Sequence, residues 1–351
     1  MLEENINTTS YTLIITTICG GGHLQAANAI RKKILSSDQT AQVIQIDLFN
    51  DWMGKAVGGF LTRCWNSPLR KGHNILSLCY SYFGIPFADP LFFIPLFINA
   101  FKTFQKYPLC RVIDTQPVGS FAITLALLLS NKLKNKNLKI EKILTELPTK
   151  KAIHFFHPLK LLPKCLTNLI EFHVVEPLPL EKNFWPKYTG LKACQIKKMD
   201  PPLREDFFGI NKFAFGQDYL ELTFFSAEQK EKCLLIARLN NWIETKDKGL
   251  TVLLKPDTDC HITTLMLGSQ PQIKTIRKYL VKFKELCTLS SEKHHLFFIL
   301  GNHNLSKWND LVTEWAEKQG LPENFHPVLL SVQNNKTIAQ LLKSSHHTIT
   351  R

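Results

Sequence analysis

The chain has no CxxC spacing among its nine cysteines, no apolar run of membrane-spanning length and too few acids to balance its bases. The missing CxxC pattern excludes zinc ribbons and haem-attachment motifs. It leaves reduced, buried thiols in a cytoplasmic protein as the expected state. The most apolar stretch, Leu91 to Phe101, is interrupted by Pro95 and Asn99 and falls well short of the roughly 20 residues a spanning helix needs. Met1 to Ser10 is polar and acidic, unlike a secretory signal. No solenoid-period repeat and no low-complexity tract is present.

Against 29 Asp and Glu stand 43 Lys and Arg, a net charge of +14 over 351 residues. That surplus attracts anions such as phosphates, nucleic acid or acidic lipid. The basic residues are scattered and no nucleic-acid recognition motif accompanies them, so no nucleic-acid partner is expected. With 44% hydrophobic and 21% charged residues, the chain can bury two domain cores.

The first unit reads strand, glycine loop, helix, strand. Tyr11 to Ile18 is apolar on both faces, Gly20, Gly21 and Gly22 follow, and a helix starts near His23. Gln42 to Leu48 is the next strand. This βαβ opening predicts a parallel α/β sheet. Residues 51–107 change character, with helical pieces broken by Pro86, Pro90 and Pro95 and rich in aromatics and bases. Two readings stand for this insertion: helices packed on the sheet, or a surface that docks on anionic lipid through residues 63–106. In the second, Phe83, Phe87, Phe92, Phe93, Phe97 and Phe101 enter the headgroup boundary. The rhythm resumes with strands at Cys110 to Asp114, Lys139 to Leu144 and Glu171 to Val175, and with a wholly buried helix over Val118 to Leu129. Asp200-Pro201-Pro202-Leu203-Arg204 is the expected linker, dividing domains at 1–203 and 204–351. A helical segment over Tyr219 to Leu239 is expected to open the second domain. Strands at Ile262 to Leu267, Leu296 to Leu300, Pro327 to Val332 and Thr348 to Thr350 follow, with helices at Ile273 to Leu286, Trp308 to Lys318 and Thr337 to Leu342. A doubly wound domain does not end on a strand's first residues, so this domain is expected to be incomplete.

Glycines between a strand and a helix let a ligand approach backbone N–H groups at the helix start. A dinucleotide site is one reading, with Gly20 and Gly22 in place and Asp47 ending the second strand. Gln25, however, stands where that fingerprint needs Gly or Ala. The other reading is a hydroxyl or anion site in which His23, at the carboxyl end of the first strand, is a general base. Asp114, Thr115 and Gln116 end one strand and Glu146 closes another, so all four are expected to line the same cleft. The plain alternative makes each a cap or loop residue. At the second domain's strand-to-helix turn, the N–H groups of Gly268, Ser269 and Gln270 could meet an anion. His154 and His157 could share a helical face, but no third metal ligand accompanies them.

The stretch Cys19-Gly20-Gly21-Gly22-His23-Leu24-Gln25-Ala26-Ala27-Asn28-Ala29-Ile30 resembles the GGGHxxAAxAI opening of monogalactosyldiacylglycerol synthases and bacterial diacylglycerol glucosyltransferases. It is also similar to the glycine-rich loop of the MurG transferase. Met199 to Phe207 resembles that family's interdomain stretch, Leu267-Gly268-Ser269-Gln270 a GGSQG loop, and Gly301-Asn302-His303-Asn304 a CGxN turn. Leu341 to Arg351 resembles the strand that leads into an SGG(x)T donor loop. Departures are Thr145-Glu146 for Thr-Asp, and Leu267 and Pro271 for two glycines. The resemblance implies a GT-B α/β fold, two Rossmann-like domains facing a cleft. It implies sugar transfer from a nucleotide-sugar, usually a UDP-sugar, to a lipid or membrane-associated hydroxyl at a peripheral membrane site, with no cofactor and no obligate metal. His23 and Glu146 would be catalytic, Gly20, Gly21, Gly22, Asp114, Thr115 and Gln116 acceptor-side. Gly268, Ser269, Gln270, Gly301, Asn302 and Arg351 would hold the nucleotide-sugar. A catalytically inactive binding protein of the same fold is the alternative.

Overall fold

The computed structural model describes residues 10–18, 22–71, 79, 89–145, 152–175, 184–200, 218–239, 242–244, 250–255, 260–267, 271–301 and 305–350. The chain divides into two compact units between Glu205 and Asp206. The expected linker beyond Asp200 lies outside the described residues.

The first unit is a parallel six-stranded sheet: β1 (Tyr11–Thr16), β2 (Gln42–Asp47), β3 (Leu109–Asp114), β4 (Ile140–Ile143), β5 (Ile170–Val175) and β6 (Ile196–Met199). Their order is β2-β1-β3-β4-β5-β6. The chain turns back on itself between β1 and β3, the switch point where open α/β sheets receive ligands. Alternation along β1 builds both faces. Ile14 packs with Ala27 of helix α1 (Gly22–Ser37), Ile113 and Ile143. Leu13 and Ile15 face the opposite layer, made by α3 (Phe93–Lys106) and α4 (Ser120–Lys134). Burying each such side chain is worth roughly 1.5–3 kcal/mol. Ala26, Ala27 and Ala29 are the buried residues of α1 and Gln25 is exposed, so alanines bring this helix onto the sheet.

Three expectations for this unit are corrected. Pro95 does not break a helix, because it sits in the first turn of α3, where a missing N–H leaves no bond unmade. Phe92, Phe93, Phe97 and Phe101 pack against the core rather than standing free. The face exposed here carries Ile94 and Ile98 of α3 instead, with Leu91 just ahead of the helix. Phe83 and Phe87 lie outside the described residues, as do the side chains of Arg70 and Lys71. Helix α4 is not wholly buried, since Phe121, Leu129 and Leu133 reach solvent. The remaining described α-helices are α2 (Lys55–Lys71), α5 (Lys164–Thr167) and α6 (Phe184–Thr189).

The second unit opens with an antiparallel sheet, order β7-β9-β8, of β7 (Leu220–Thr223), β8 (Trp242–Glu244) and β9 (Thr251–Leu254). The helical reading of Tyr219 to Leu239 is therefore half wrong. Leu220 and Leu222 are buried strand residues, and the helix α7 (Ala227–Ile236) begins only after Ser226 caps it. A parallel sheet follows: β10 (Cys260–Met266), β11 (Lys293–Ile299), β12 (Phe325–Leu330) and β13 (His347–Thr350), in the order β12-β11-β10-β13. Here the switch point lies between β10 and β13. Helices α8 (Ile273–Leu289), α9 (Leu305–Ala316) and α10 (Asn335–Ser344) connect the strands. Trp308 and Trp315 of α9 are fully buried in the core of this unit.

Among the eight described cysteines, only Cys233, Cys260 and Cys287 are buried; Cys79, Cys110, Cys165 and Cys194 are exposed. The expectation of buried thiols holds for the second unit and fails for the first, where Cys110 lies on β3 and Cys64, Cys165 and Cys194 lie in helical segments. No described helix is long and apolar enough to cross a membrane.

Candidate active site

The first unit brings its polar strand ends together at the β1/β3 switch point. Thr115 follows β3 directly. Its N–H donates to Ile15 O at 3.0 Å, and its hydroxyl lies 3.1 Å from Thr16 Oγ1, so β1 and β3 are joined beyond their ladder. His23 is the second residue of α1, and the helix start carries it to this junction.

His23 Nδ1 lies 2.6 Å from the Thr115 carbonyl oxygen and 3.0 Å from Thr145 Oγ1. A carbonyl can only accept, so Nδ1 carries the proton and donates it to Thr115. In the neutral ring Nε2 is then the unprotonated nitrogen. Burial lowers the pKa of His23 to about 4; the bond to Thr115 opposes this and the nearby Lys142 ammonium adds to it. The imidazole is therefore neutral at pH 7, with its basic nitrogen defined.

Behind this junction lies a buried ion pair that the sequence reading did not include. Asp114 and Lys142 are register partners on β3 and β4. Lys142 Nζ is 2.7 Å from Asp114 Oδ2 and donates also to Gln116 O at 2.8 Å. Their side chains are 2% and 1% exposed, Lys142 first. Gln116 N donates to Asp114 Oδ1 at 3.1 Å, and Val118 N donates to Gln116 Oε1 at 2.6 Å. Asp89 accepts from the Gly119 N–H and fixes the start of α4. Burial raises the carboxyls of Asp114 and Asp89 above the ordinary range, while Lys142 pulls both back. A lysine on the inward side of a four-residue strand, Ile140-Glu141-Lys142-Ile143, in register with Ile140 two residues earlier, was the available signal. An ammonium is almost never fully buried without a partner.

The expected acceptor-side residues thus have two fates. Asp114, Thr115 and Gln116 do gather at the site, but all three are 1% exposed, so they underlie it rather than line an open cleft. Gly22 is exposed at the start of α1. Gly20, Gly21 and Glu146 lie outside the described residues, as do Gly268, Ser269, Gln270, Asn302 and Arg351. Gly301 is described: it follows β11 with φ +75°, a left-handed conformation that favours glycine. Asp47, the acid required by a dinucleotide site, is engaged otherwise. Its carboxylate accepts from Phe49 N at 3.0 Å and from Asn50 Nδ2 at 2.9 Å, capping the π-helical turn Leu48–Trp52. Among the described residues no group of three or more His, Cys, Asp or Glu is arranged to hold a metal. The side chain of His154 is outside the described residues, and His157 is exposed.

No protein-family model matches the chain, and no curated protein matches it. Two solved structures are similar to it along most of their length. Acinetobacter baumannii MurG is 11% identical with a TM-score of 0.39, over 97% of this chain and 73% of that one. Medicago truncatula UGT71G1, complexed with UDP-glucose, is 11% identical with a TM-score of 0.44, over 98% of this chain and 76% of that one. At these values the likeness concerns the course of the backbone and not its chemistry.

Proposed function

We propose that the protein is a GT-B-type glycosyltransferase that moves a sugar from a nucleotide-sugar to an acceptor hydroxyl, with His23 as the general base. The observation that carries this reading is the His23 Nδ1–H bond to Thr115 O at the sheet's switch point, which leaves Nε2 as the nitrogen able to take a proton. In the reaction Nε2 accepts the hydroxyl proton while the acceptor oxygen bonds to the anomeric carbon. The bond from that carbon to the diphosphate breaks, and the diphosphate leaves with the electron pair. The resemblance of Gly20 to Ile30 to a glycolipid-synthase opening favours this chemistry over other uses of a histidine.

The donor is assigned to the second unit, at the turns after β10 and β11. Backbone N–H groups at the starts of α8 and α9 would meet the diphosphate there and make a metal unnecessary. A UDP-sugar is the proposed donor. The acceptor is proposed to be membrane-associated, because Leu91 just ahead of α3 and Ile94 and Ile98 on it are exposed, at 73%, 68% and 42%, with Lys102 continuing the stripe. On this reading the protein would act at a membrane surface as a peripheral enzyme.

A second reading is favoured by one observation. An imidazole with a pKa of about 4 is a weak base, which suits a binding protein without turnover. Incubating the full chain with UDP-sugars and lipid-borne hydroxyl acceptors separates the two. Transfer that falls on the order of 10²–10⁴-fold in His23→Ala, with donor-induced thermal stabilisation unchanged, supports the enzyme. Donor binding without transfer in the wild type supports the binding protein.

A further inference from the structure

The pair Asp114–Lys142 has a neighbour that shows what it is not for. One pleat earlier, on the same two strands and the same face, Val112 and Ile140 are also register partners, 0% and 2% exposed. An apolar pair therefore suffices to join β3 to β4 here. A buried ion pair adds little net stability over such a pair, because desolvation offsets most of its attraction.

We propose that Lys142 is a positioning residue for His23: its ammonium pins the Asp114–Gln116 turn so that the Thr115 carbonyl meets Nδ1 and keeps the proton off Nε2. The contacts fit this role. Lys142 Nζ holds the turn at both ends, Asp114 Oδ2 at 2.7 Å and Gln116 O at 2.8 Å, and Thr115 is the residue between them. The turn is closed on itself by Gln116 N to Asp114 Oδ1 at 3.1 Å and tied to β1 by Thr115 N to Ile15 O at 3.0 Å. With its two flanking residues held, the Thr115 carbonyl is fixed in direction. Most proteins that use a histidine base orient it with a carboxylate. Here the carboxylate of the same turn, Asp114, is paired with Lys142, and a backbone carbonyl orients the ring. The charged group that acts on the imidazole is Lys142 from β4, and Lys142 in turn acts on Asp114 from β3 and Asp89 from the segment before α3, among the described residues.

The inference rests on reading His23 as the base, but its test does not need turnover. The probe is ¹⁵N-histidine NMR of the full chain, with His23 assigned by its loss in His23→Gln. Nitrogen shifts report which ring nitrogen holds the proton, and a pH series reports the titration. The wild type is expected to show the Nδ1–H tautomer and to titrate near pH 4. Lys142→Met is expected to raise the titration by about one pH unit or more, because the cation is lost and Asp114 is no longer neutralised. Removing one partner of a buried pair can unfold a protein, so the double variant Asp114→Asn/Lys142→Met supplies the second arm. It removes both charges at similar volume and is expected to fold yet show a mixed tautomer population. Wild-type tautomer and titration in the folded double variant would overturn the proposal and leave Lys142 as a fold-stabilising pair. If transfer is absent altogether while these shifts occur, the base assignment fails and the positioning role stands.

Discussion

At the residue scale the central quantity is the proton affinity of His23. In the folded chain its pKa is about 4, below the ordinary 6.5, with burial as the main cause. The unfolded chain therefore binds more protons between those values. The stability held by the neutral ring is complete above pH 6.5 and is lost as the pH falls toward 4. One pKa unit corresponds to about 1.4 kcal/mol, so the loss is on the order of 2–3 kcal/mol. Chemical denaturation of wild type and His23→Gln at pH 7 and pH 4.5 measures it. The wild type should lose more on acidification, and equal losses would show that the ring titrates normally. If turnover is found, the acid limb of kcat/KM should lie near pH 4 rather than near 6.5. Histidine at the loop was legible in the sequence as a base, because glycines and a strand end surround it. Its partners were not, since Thr115 acts through its carbonyl and Lys142 comes from a different strand.

At the element scale two features carry predictions. Gly119 precedes α4 with φ +78°, and a Cβ there would meet Leu96 Cδ1 at 3.1 Å. Its N–H also binds Asp89. Gly119→Ala should therefore cost about 1–3 kcal/mol from backbone strain and crowding, measured as a lowered urea midpoint. An unchanged midpoint would mean that the turn relaxes freely. The second feature is a histidine cluster where β10, β11 and β13 begin. His261 stacks near His346 at 4.2 Å, and near His294 and His347 at 5.6 Å each, with Glu292 Oε2 3.8 Å from His261 Nε2. His346 Nδ1 accepts from Ile262 N at 3.1 Å, a bond that a proton on Nδ1 would abolish. Burial holds the pKa of His294 below its ordinary value, and the adjacent His261 adds to this. Acid should therefore loosen this end of the sheet first. Amide exchange at Ile262 should accelerate between pH 7 and pH 5 more than at Ile14 in β1, after correction for intrinsic rates. The parallel strands of this unit were readable from apolar runs followed by glycine turns. The β7 to β9 sheet was not, because a short strand such as Leu220-Glu221-Leu222 carries too few residues to separate a period of 2 from one of 3.6.

At the scale of the molecule the +14 charge and the exposed stripe of α3 point to one measurable property. Sedimentation with anionic liposomes at low salt should carry the protein down, and added salt should weaken the association. The triple variant Leu91→Ser/Ile94→Ser/Ile98→Ser should bind less well with little change in stability, because these side chains are exposed. Phe93→Ser should instead lower stability. Its ring lies 5.8 Å from Phe97 and 5.2 Å from Phe121 and packs against the core. Wild-type protein that stays in the supernatant would assign the stripe to another partner.

The sequence alone determined that this chain makes two parallel α/β units and that a glycine loop sets a histidine at the end of the first strand. Both follow from local rules, the alternation of apolar strands with amphipathic helices and the backbone freedom of glycine. It also marked residues 51–107 as a segment of different character, rich in aromatics and bases and punctuated by prolines. Only the tertiary structure decided which aromatics are core and which apolar residues are surface, since that depends on how α3 is rotated on the sheet. Only the tertiary structure gave His23 its tautomer, because the carbonyl that holds its proton lies 92 residues away and is aimed by a lysine 27 residues further along the chain. Side chains that act through backbone carbonyls or through buried partners leave no periodicity in a sequence. Their role exists only once the strands have met.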